Sequence, residues 1–409
     1  MQLTWQLAAR NLTRNRRRTL LTGLIISLST AALILTDAFI LGFSDTAVRS
    51  ATRMFPGDAQ IHQVDYLAER DEELVIEAPQ ARLAQLDNEP EVVGYSPRVM
   101  AFGMISSAAD NRATQVIGID PAQERTVSRL ADAMAAGDYL TSDGAETQLL
   151  MGRRLAELLA VELGDRIVIS VHNQEWGGAE QALFRVSGLY DFNARVLDEE
   201  TVFVLQAPLQ TLLGVGDTVH EIALALRTPA LASDPDLPLW QRLSDEQVKA
   251  QGWTTLMPQL AAMLDMTSAS MALIGTMLFI LAALGVTNGI FMSIYERTWE
   301  IGVLLAIGTR RLAVFRMILA ETLLLALGAI AVGLALGGLA TLTLGAVGID
   351  YGSMELGGVA MAEQIRPRAN WTQYSVYPPI VLALTLLAAM YPAAHAARIV
   401  PTRALHKSL

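Results

Sequence analysis

Four windows of this sequence are too long and too apolar for a water-soluble fold, and they settle the architecture before any other feature is weighed. They are residues 19–41, 271–295, 312–344 and 376–396. Hydrocarbon offers no partner to a peptide group, so a crossing segment needs roughly 20 apolar residues in helical form. The third window can cross with a tilt or leave a turn clear of the bilayer. Pro378 and Pro379 near the start of the fourth suit a helix's first turn. The positive mean hydropathy and 52% apolar content of the 409-residue chain agree with a mixed membrane protein.

A basic start followed by an apolar run also fits a secretory signal. Here the run exceeds a typical signal core and no small-x-small cleavage site follows, so an uncleaved anchor is expected. Arginine then sets the orientation, because positive flanks stay cytoplasmic. Residues 1–18 hold Arg10, Arg14, Arg16, Arg17 and Arg18 with no acid, and the tail 397–409 adds Arg398, Arg403 and Lys407. Both ends are therefore expected inside, with 296–311 also cytoplasmic. Residues 42–270 and the short loop 345–375 are expected outside, and the whole in the inner membrane of a bacterium.

Acid is concentrated in the long outer segment. Residues 42–270 carry 34 acidic and 16 basic side chains, about −18, whereas the whole chain is −11. Such a surface repels nucleic acid and anionic head groups. The segment is long enough for one or two small domains. Alternating runs at 166–171, 182–189, 201–205 and 221–226 predict strands, and helical spacing appears at 152–163 and 207–213. The expected fold is thus four transmembrane helices with an α+β extracytoplasmic domain between the first two. Ala47, Val48, Ala51, Met54 and Phe55 fall on one helical face after the first span, and Leu260, Met263, Leu264 and Met271 do so before the second. Two stalk helices, or ordinary amphipathic ends of membrane helices, account for this pattern.

Between the second and third spans, residues 296–308 read ERTWEIGVLLAIG. Ile301, Leu304, Leu305 and Gly308 lie at helical spacing, Glu296, Arg297 and Glu300 lead the segment, and Gly308 offers a left-handed stop. A helix resting on lipid is usually rich in Lys and Arg on its polar face, and this one is not. It reads instead as a docking helix for a cytoplasmic partner.

The run from Glu296 to Gly337 resembles the signature of FtsX/MacB-type permeases, in which a coupling helix reads E-R-x-x-E-I-G and precedes a span with a lone Glu. That Glu corresponds to Glu321, and Gly302 completes the coupling motif. Residues 9–22 (ARNLTRNRRRTLLT) and 391–405 (YPAAHAARIVPTRAL) resemble the family's opening and closing patterns. In the outer domain Gly118–Asp120, Gly137–Leu140, Gly152–Ala156, Leu163–Asp165 and Phe184–Gly188 fall in the order seen there.

This resemblance implies two permeases working with two ATPase subunits, the second permease being another copy or a paralogue. It further implies outer domains moved on stalks by ATP-driven closure inside. The chain's own residues bear on the nucleotide directly. A phosphate-cradling P-loop needs a glycine-rich turn and a Lys before Ser or Thr. Lys249 precedes Ala250, and Lys407 follows His406 where a glycine must stand. ATP and Mg²⁺ are thus expected on a partner, with no cofactor held by this chain.

The zero cysteine count removes thiolate metal sites and thiol nucleophiles. His62, His172, His220, His395 and His406 show no ligand spacing, and no G-x-S-x-G occurs. No catalytic or metal site is expected. Glu321, well inside a span, is either a functional group or an acid paired with Arg316 or Arg311 near the head groups. Asp37 reads as interfacial. Gly328, Gly333, Gly337 and Gly338 suit close helix packing.

Chain length, the approach GWTTLMPQLAAML to the second span and Asn288 resemble the lipoprotein-releasing (LolC/LolE-like) branch, which implies extraction of lipoproteins or lipids and a periplasmic carrier. The ERTWEIG loop is closer to the general form. It leaves open a MacB-like efflux permease with a periplasmic adaptor, or an FtsX-like complex regulating a periplasmic enzyme.

Overall fold

The computed structural model describes residues 10, 14, 16–69, 71–142, 147–350, 355–356, 359–360 and 364–400. Most of the basic N-terminal segment, Arg403, Lys407 and part of the loop 345–375 lie outside the described residues. The chain divides into a helical unit (1–44, 265–350, 365–409) and an α+β unit (45–264, 351–364).

The helices that enter the helical unit are α1 (Arg16–Met54), α2 (Pro258–Glu296), a short α3 (Thr298–Ala306), α4 (Arg311–Val347) and α5 (Trp371–Ala397); residues 45–54 of α1 and 258–264 of α2 fall in the α+β unit and the rest in the helical unit. The four long helices have the length and apolarity to cross a membrane. At 1.5 Å per residue, the 39 residues of α1 and of α2 each extend about 58 Å, nearly twice a bilayer core of about 30 Å. Neither helix breaks where the apolar window ends, because nothing there removes a backbone hydrogen bond. In the part of α1 past the apolar window, Ala47, Ala51 and Met54 are buried, as are Leu260 and Leu264 in the first turns of α2.

Helix α5 corrects one expectation. It starts at Trp371, so Pro378 and Pro379 stand inside it rather than in its first turn. The reason is a capping box. Asn370 accepts from the Thr372 N–H, while the Gln373 side chain accepts from the Asn370 N–H at 3.2 Å, satisfying donors a helix start leaves open.

Small residues set the packing of α1 on α4. A side chain at Gly333 would meet the Ser27 carbonyl oxygen at 2.7 Å, and one at Gly337 would meet Ala31 Cα at 3.1 Å. Ser27 Oγ donates to the Ala329 carbonyl at 2.8 Å across the same pair. Among the described residues Gly328 meets nothing within 4 Å, and Gly338 lies against Tyr374. Near the other end of the unit Asp37 accepts a 2.8 Å hydrogen bond from the Tyr377 hydroxyl.

The α+β unit holds a ten-stranded sheet: β1 (Ala59–Gln63), β2 (Val92–Ser106), β3 (Asn111–Ile119), β4 (Met134–Gly137), β5 (Gln148–Gly152), β6 (Arg166–Asn173), β7 (Gly178–Tyr190), β8 (Thr201–Leu205), β9 (Glu221–Leu226) and β10 (Val248–Gly252). The order is β10-β1-β9-β2-β3-β8-β5-β7-β4, with β6 pairing both β2 and β7. Only β3–β8 and β5–β7 run parallel. The strands expected at 201–205 and 221–226 coincide with β8 and β9. Those at 166–171 and 182–189 fall within the longer β6 and β7.

Phe55, Tyr66, Ile117, Ile119, Tyr190 and Phe203 form the heart of the buried core. The Tyr190 hydroxyl lies 2.7 Å from the Thr201 carbonyl, and Asp198 accepts from the N–H groups of Phe192 and Ala194. Asp120 caps the helix Pro121–Val127 by accepting from the Ala122 and Gln123 N–H groups. A side chain at Gly152 would stand 2.1 Å from the Asp198 carbonyl oxygen, which excludes any other residue there.

Candidate functional site

Helix α2 ends at Glu296 because Arg297 leaves helical geometry (φ −111°, ψ 15°), and α3 restarts at Thr298. Thr298 holds the joint by donating its hydroxyl to the Ile294 carbonyl at 2.9 Å. At the other end Gly308 takes φ +96°, a left-handed conformation that glycine adopts without strain. Its N–H bonds the Leu305 carbonyl at 3.2 Å, and the Thr309 N–H bonds Leu304 at 3.0 Å. This pair is a Schellman motif, in which the last carbonyls of a helix find donors. The short helix between the two spans is therefore bounded by sequence-specific stops on both sides.

Ile301 and Gly302 are buried, Leu304 and Leu305 half-buried, and Glu296 exposed. Ile301 packs into the same apolar cluster as Ile294 and Ile318. The outward side carries Trp299 and Ile307, which are 54% and 75% exposed. Neither was singled out from the sequence, because helical spacing assigns bulky apolar residues to the inward face by default.

Arg297 is the centre of the polar part. Its Nη1 lies 2.9 Å from Glu321 Oε2 on α4, and its Nε lies 3.1 Å from Glu300 Oε2 on α3. Glu300 is shared a second time, with Arg14 near the start of the chain. The sequence reading paired Glu321 with Arg316 or Arg311, and this is corrected. Five residues along a helix turn a side chain by about 140°, so Arg316 points away from Glu321, and Arg311 lies about 15 Å along the axis. In the sequence Arg14 is an orientation signal and part of the run 9–22 that resembles the family's opening; neither marks it as a partner of residue 300.

The cluster makes electrostatic sense in its partly buried place. Burial by itself raises the Glu300 carboxyl, but hydrogen bonds and charge from Arg297 and Arg14 outweigh it and hold the group below its ordinary range. Beside Arg297 and Glu321 lies a cavity of about 40 Å³, lined also by Thr19, Thr22, Ser293 and Thr322. That volume has room for a few water molecules against polar partners. The arrangement brings no nucleophile to a general base. Three elements and the chain's start are tied there through Arg297, Arg14, Glu300 and Glu321.

Known proteins give this geometry its context. The family model described as MacB-like periplasmic core domain matches residues 19–234, and the one described as FtsX-like permease C-terminal matches 272–401. The chain is similar to a lipoprotein-releasing system transmembrane protein LolC of Xylella fastidiosa, 23% identical over 327 residues that make up 78% of each chain. It is 22% identical to a lipoprotein-releasing system transmembrane protein LolE of Haemophilus influenzae, over 78% of this chain and 79% of that one. Among solved structures, the periplasmic region of MacB from Actinobacillus actinomycetemcomitans aligns over 51% of this chain and 94% of its own, at 12% identity and a TM-score of 0.35.

Proposed function

The chain belongs to the FtsX-like permeases with a MacB-like periplasmic core domain, and from that premise we propose that it is a mechanical subunit that releases lipoproteins or lipids from the inner membrane of a bacterium. A separate ATPase, as a dimer, binds ATP and Mg²⁺ and docks on α3, with both chain termini on that side. A second permease, another copy or a paralogue, completes the machine. The observation that carries the choice of cargo is the similarity to LolC and LolE proteins over nearly four fifths of either chain.

In this reading α3 receives the push, through Glu296, Arg297, Glu300 and the exposed Trp299. Ile301, Gly302, Leu304 and Leu305 seat it, and Gly308 ends it. Arg297 passes the displacement to Glu321 on α4. Unbroken helices suit the task, since α1 and α2 each continue for 39 residues and a continuous helix transmits axial displacement that a loop would absorb. The outer ends of α1 and α2 then serve as stalks for the periplasmic core.

The test is reconstitution. A lipoprotein co-purifies with the complex in nanodiscs and leaves on ATP addition only when a periplasmic carrier is present; retention under those conditions refutes the reading. A MacB-like efflux role is the second reading, favoured by the general form of the ERTWEIG loop. It predicts capture of a periplasmic adaptor that reaches an outer-membrane duct, and no carrier dependence.

A further inference from the structure

In the α+β unit three neighbouring strands carry a row of polar side chains into the interior. Register places His62 of β1 opposite Glu221 of β9, and Glu221 opposite Arg98 of β2. All three are at most 3% exposed, and Glu124, from the helix Pro121–Val127, is fully buried beside them. Arg98 donates to Glu124 at 2.6 and 2.9 Å, to Glu221 Oε1 at 2.8 Å and to the Phe55 carbonyl at 2.7 Å. Its guanidinium lies 3.7 Å from the centroid of the Phe55 ring. Glu124 also accepts from the Ser96 hydroxyl, so its needs are met.

Glu221 and His62 are the unfinished part. One guanidinium faces two carboxylates, so wherever His62 is neutral the buried set carries one negative charge in excess. Glu221 Oε2 stands 3.4 Å from His62 Nε2, within ion-pair reach, and among the described residues neither ring nitrogen of His62 makes a hydrogen bond of good geometry. Lys249 faces His62 from β10 in register, but it is solvent-exposed and its charge is screened. Buried polar atoms are seldom left without partners.

Both groups line a cavity of about 200 Å³ whose remaining walls include Tyr66, Met100, Phe102 and Met257. Phe102 is 52% exposed, marking an opening. A surplus carboxylate under aromatic walls is the chemistry that selects a cation with an apolar body.

We infer that this cavity binds a small organic ammonium, its N–H groups on Glu221 Oε2 and a His62 ring nitrogen, its carbon skeleton against Tyr66 and Phe102. The ammonium is either that of a free amine or the end of a lysine side chain presented by a polypeptide. Nothing in the inference depends on which cargo the permease handles.

Calorimetric titration of the full chain in nanodiscs with benzylammonium tests it, with benzyl alcohol and benzoate as neutral and anionic isosteres. Benzylammonium should bind at least about tenfold more tightly than either, a difference of about 1.4 kcal/mol. Glu221→Gln should remove that preference. Because this variant also leaves Arg98 short of a charge partner, Met257→Trp, which enlarges a lining side chain outside the buried row, supplies the second arm and should abolish binding. An acetylated Leu-Lys-Leu peptide identifies the source: tighter binding of the peptide assigns the site to lysine side chains, tighter binding of benzylammonium to free amines. Equal binding of benzyl alcohol, binding indifferent to Met257→Trp, or no binding of any amine overturns the inference and leaves a cavity whose buried charge His62 balances alone.

Discussion

Two of the arginine–glutamate clusters among the described residues differ in what surrounds them. In the periplasmic core, Arg98 and Glu124 are completely enclosed, and the bonds between them join a packed strand to a capped helix. In the helical unit, Arg297 is 14% exposed and Glu300 37%, and the cluster sits where one helix stops and another begins. Enclosure on all sides permits a single arrangement, because any rearrangement leaves a charge without water or partner. A cluster at a helix joint, with two arginines competing for two carboxylates, has alternatives within reach. The first kind of cluster specifies a fold; the second is suited to motion.

Breaking the core cluster should give the largest effect. Arg98→Met leaves Glu124 and Glu221 buried without a cation, which costs about 3–5 kcal/mol. The periplasmic core of that variant should become sensitive to limited proteolysis while the membrane helices remain inserted; a core as resistant as the parent's would erase the distinction drawn above.

At the joint, Glu321→Gln keeps the shape and removes one charge. A charge-assisted hydrogen bond contributes about 1.5–3 kcal/mol, so the thermal midpoint should fall modestly. The coupling reading adds that transport per ATP hydrolysed falls further than stability does. Should stability and coupling fall together, Glu321 is only a structural partner of Arg297.

Glu300→Arg places three cations where two shared an acid. Association with the ATPase subunit, measured by co-purification and ATPase rate, should weaken about tenfold, close to 1.4 kcal/mol. Unchanged association would move the docking surface off α3.

The smallest effect concerns His220, which is held in one neutral form. Its Nδ1 accepts from the Met100 N–H at 3.1 Å, and its Nε2 donates to the Glu72 carbonyl at 3.0 Å. Burial lowers its pKa from the ordinary 6.5, so the fold binds that proton less readily than the unfolded chain does. The stability it protects is complete above about pH 6.5 and is lost as pH falls through the lower folded value. Burial raises the Glu72 carboxyl and acts with the opposite sign, gaining stability on acidification. The informative quantity is therefore the difference between parent and His220→Asn in thermal melts from pH 8 to 5, with the variant less acid-sensitive.

How much of this was legible beforehand varies with the range of the interaction. The four apolar windows, Gly308 as a helix stop and strands such as 201–205 and 221–226 were readable because each follows from neighbours a few residues apart. The start of α5 was misplaced because two adjacent prolines outweighed a capping box formed by Asn370 and Gln373, a local signal that was present but not used. Strands β2 and β3, which run through the middle of the sheet, were not called at all. Tyr95-Ser96-Pro97-Arg98 reads as a polar turn, and only pairing with β9 turns it into an interior strand.

The sequence alone thus determined the membrane class, the two-unit plan and the position of the short helix between the second and third spans, since hydrophobic length and helix stops are properties of contiguous residues. Tertiary structure decided the long-range charge partnerships. Arg297 finds Glu321 across 24 positions, Arg14 finds Glu300 across 286, and Arg98 finds Glu221 across 123. Each of these depends on where two distant side chains end in space, which the local chain does not encode; helical spacing supplies only neighbours such as Arg297 and Glu300, three positions apart.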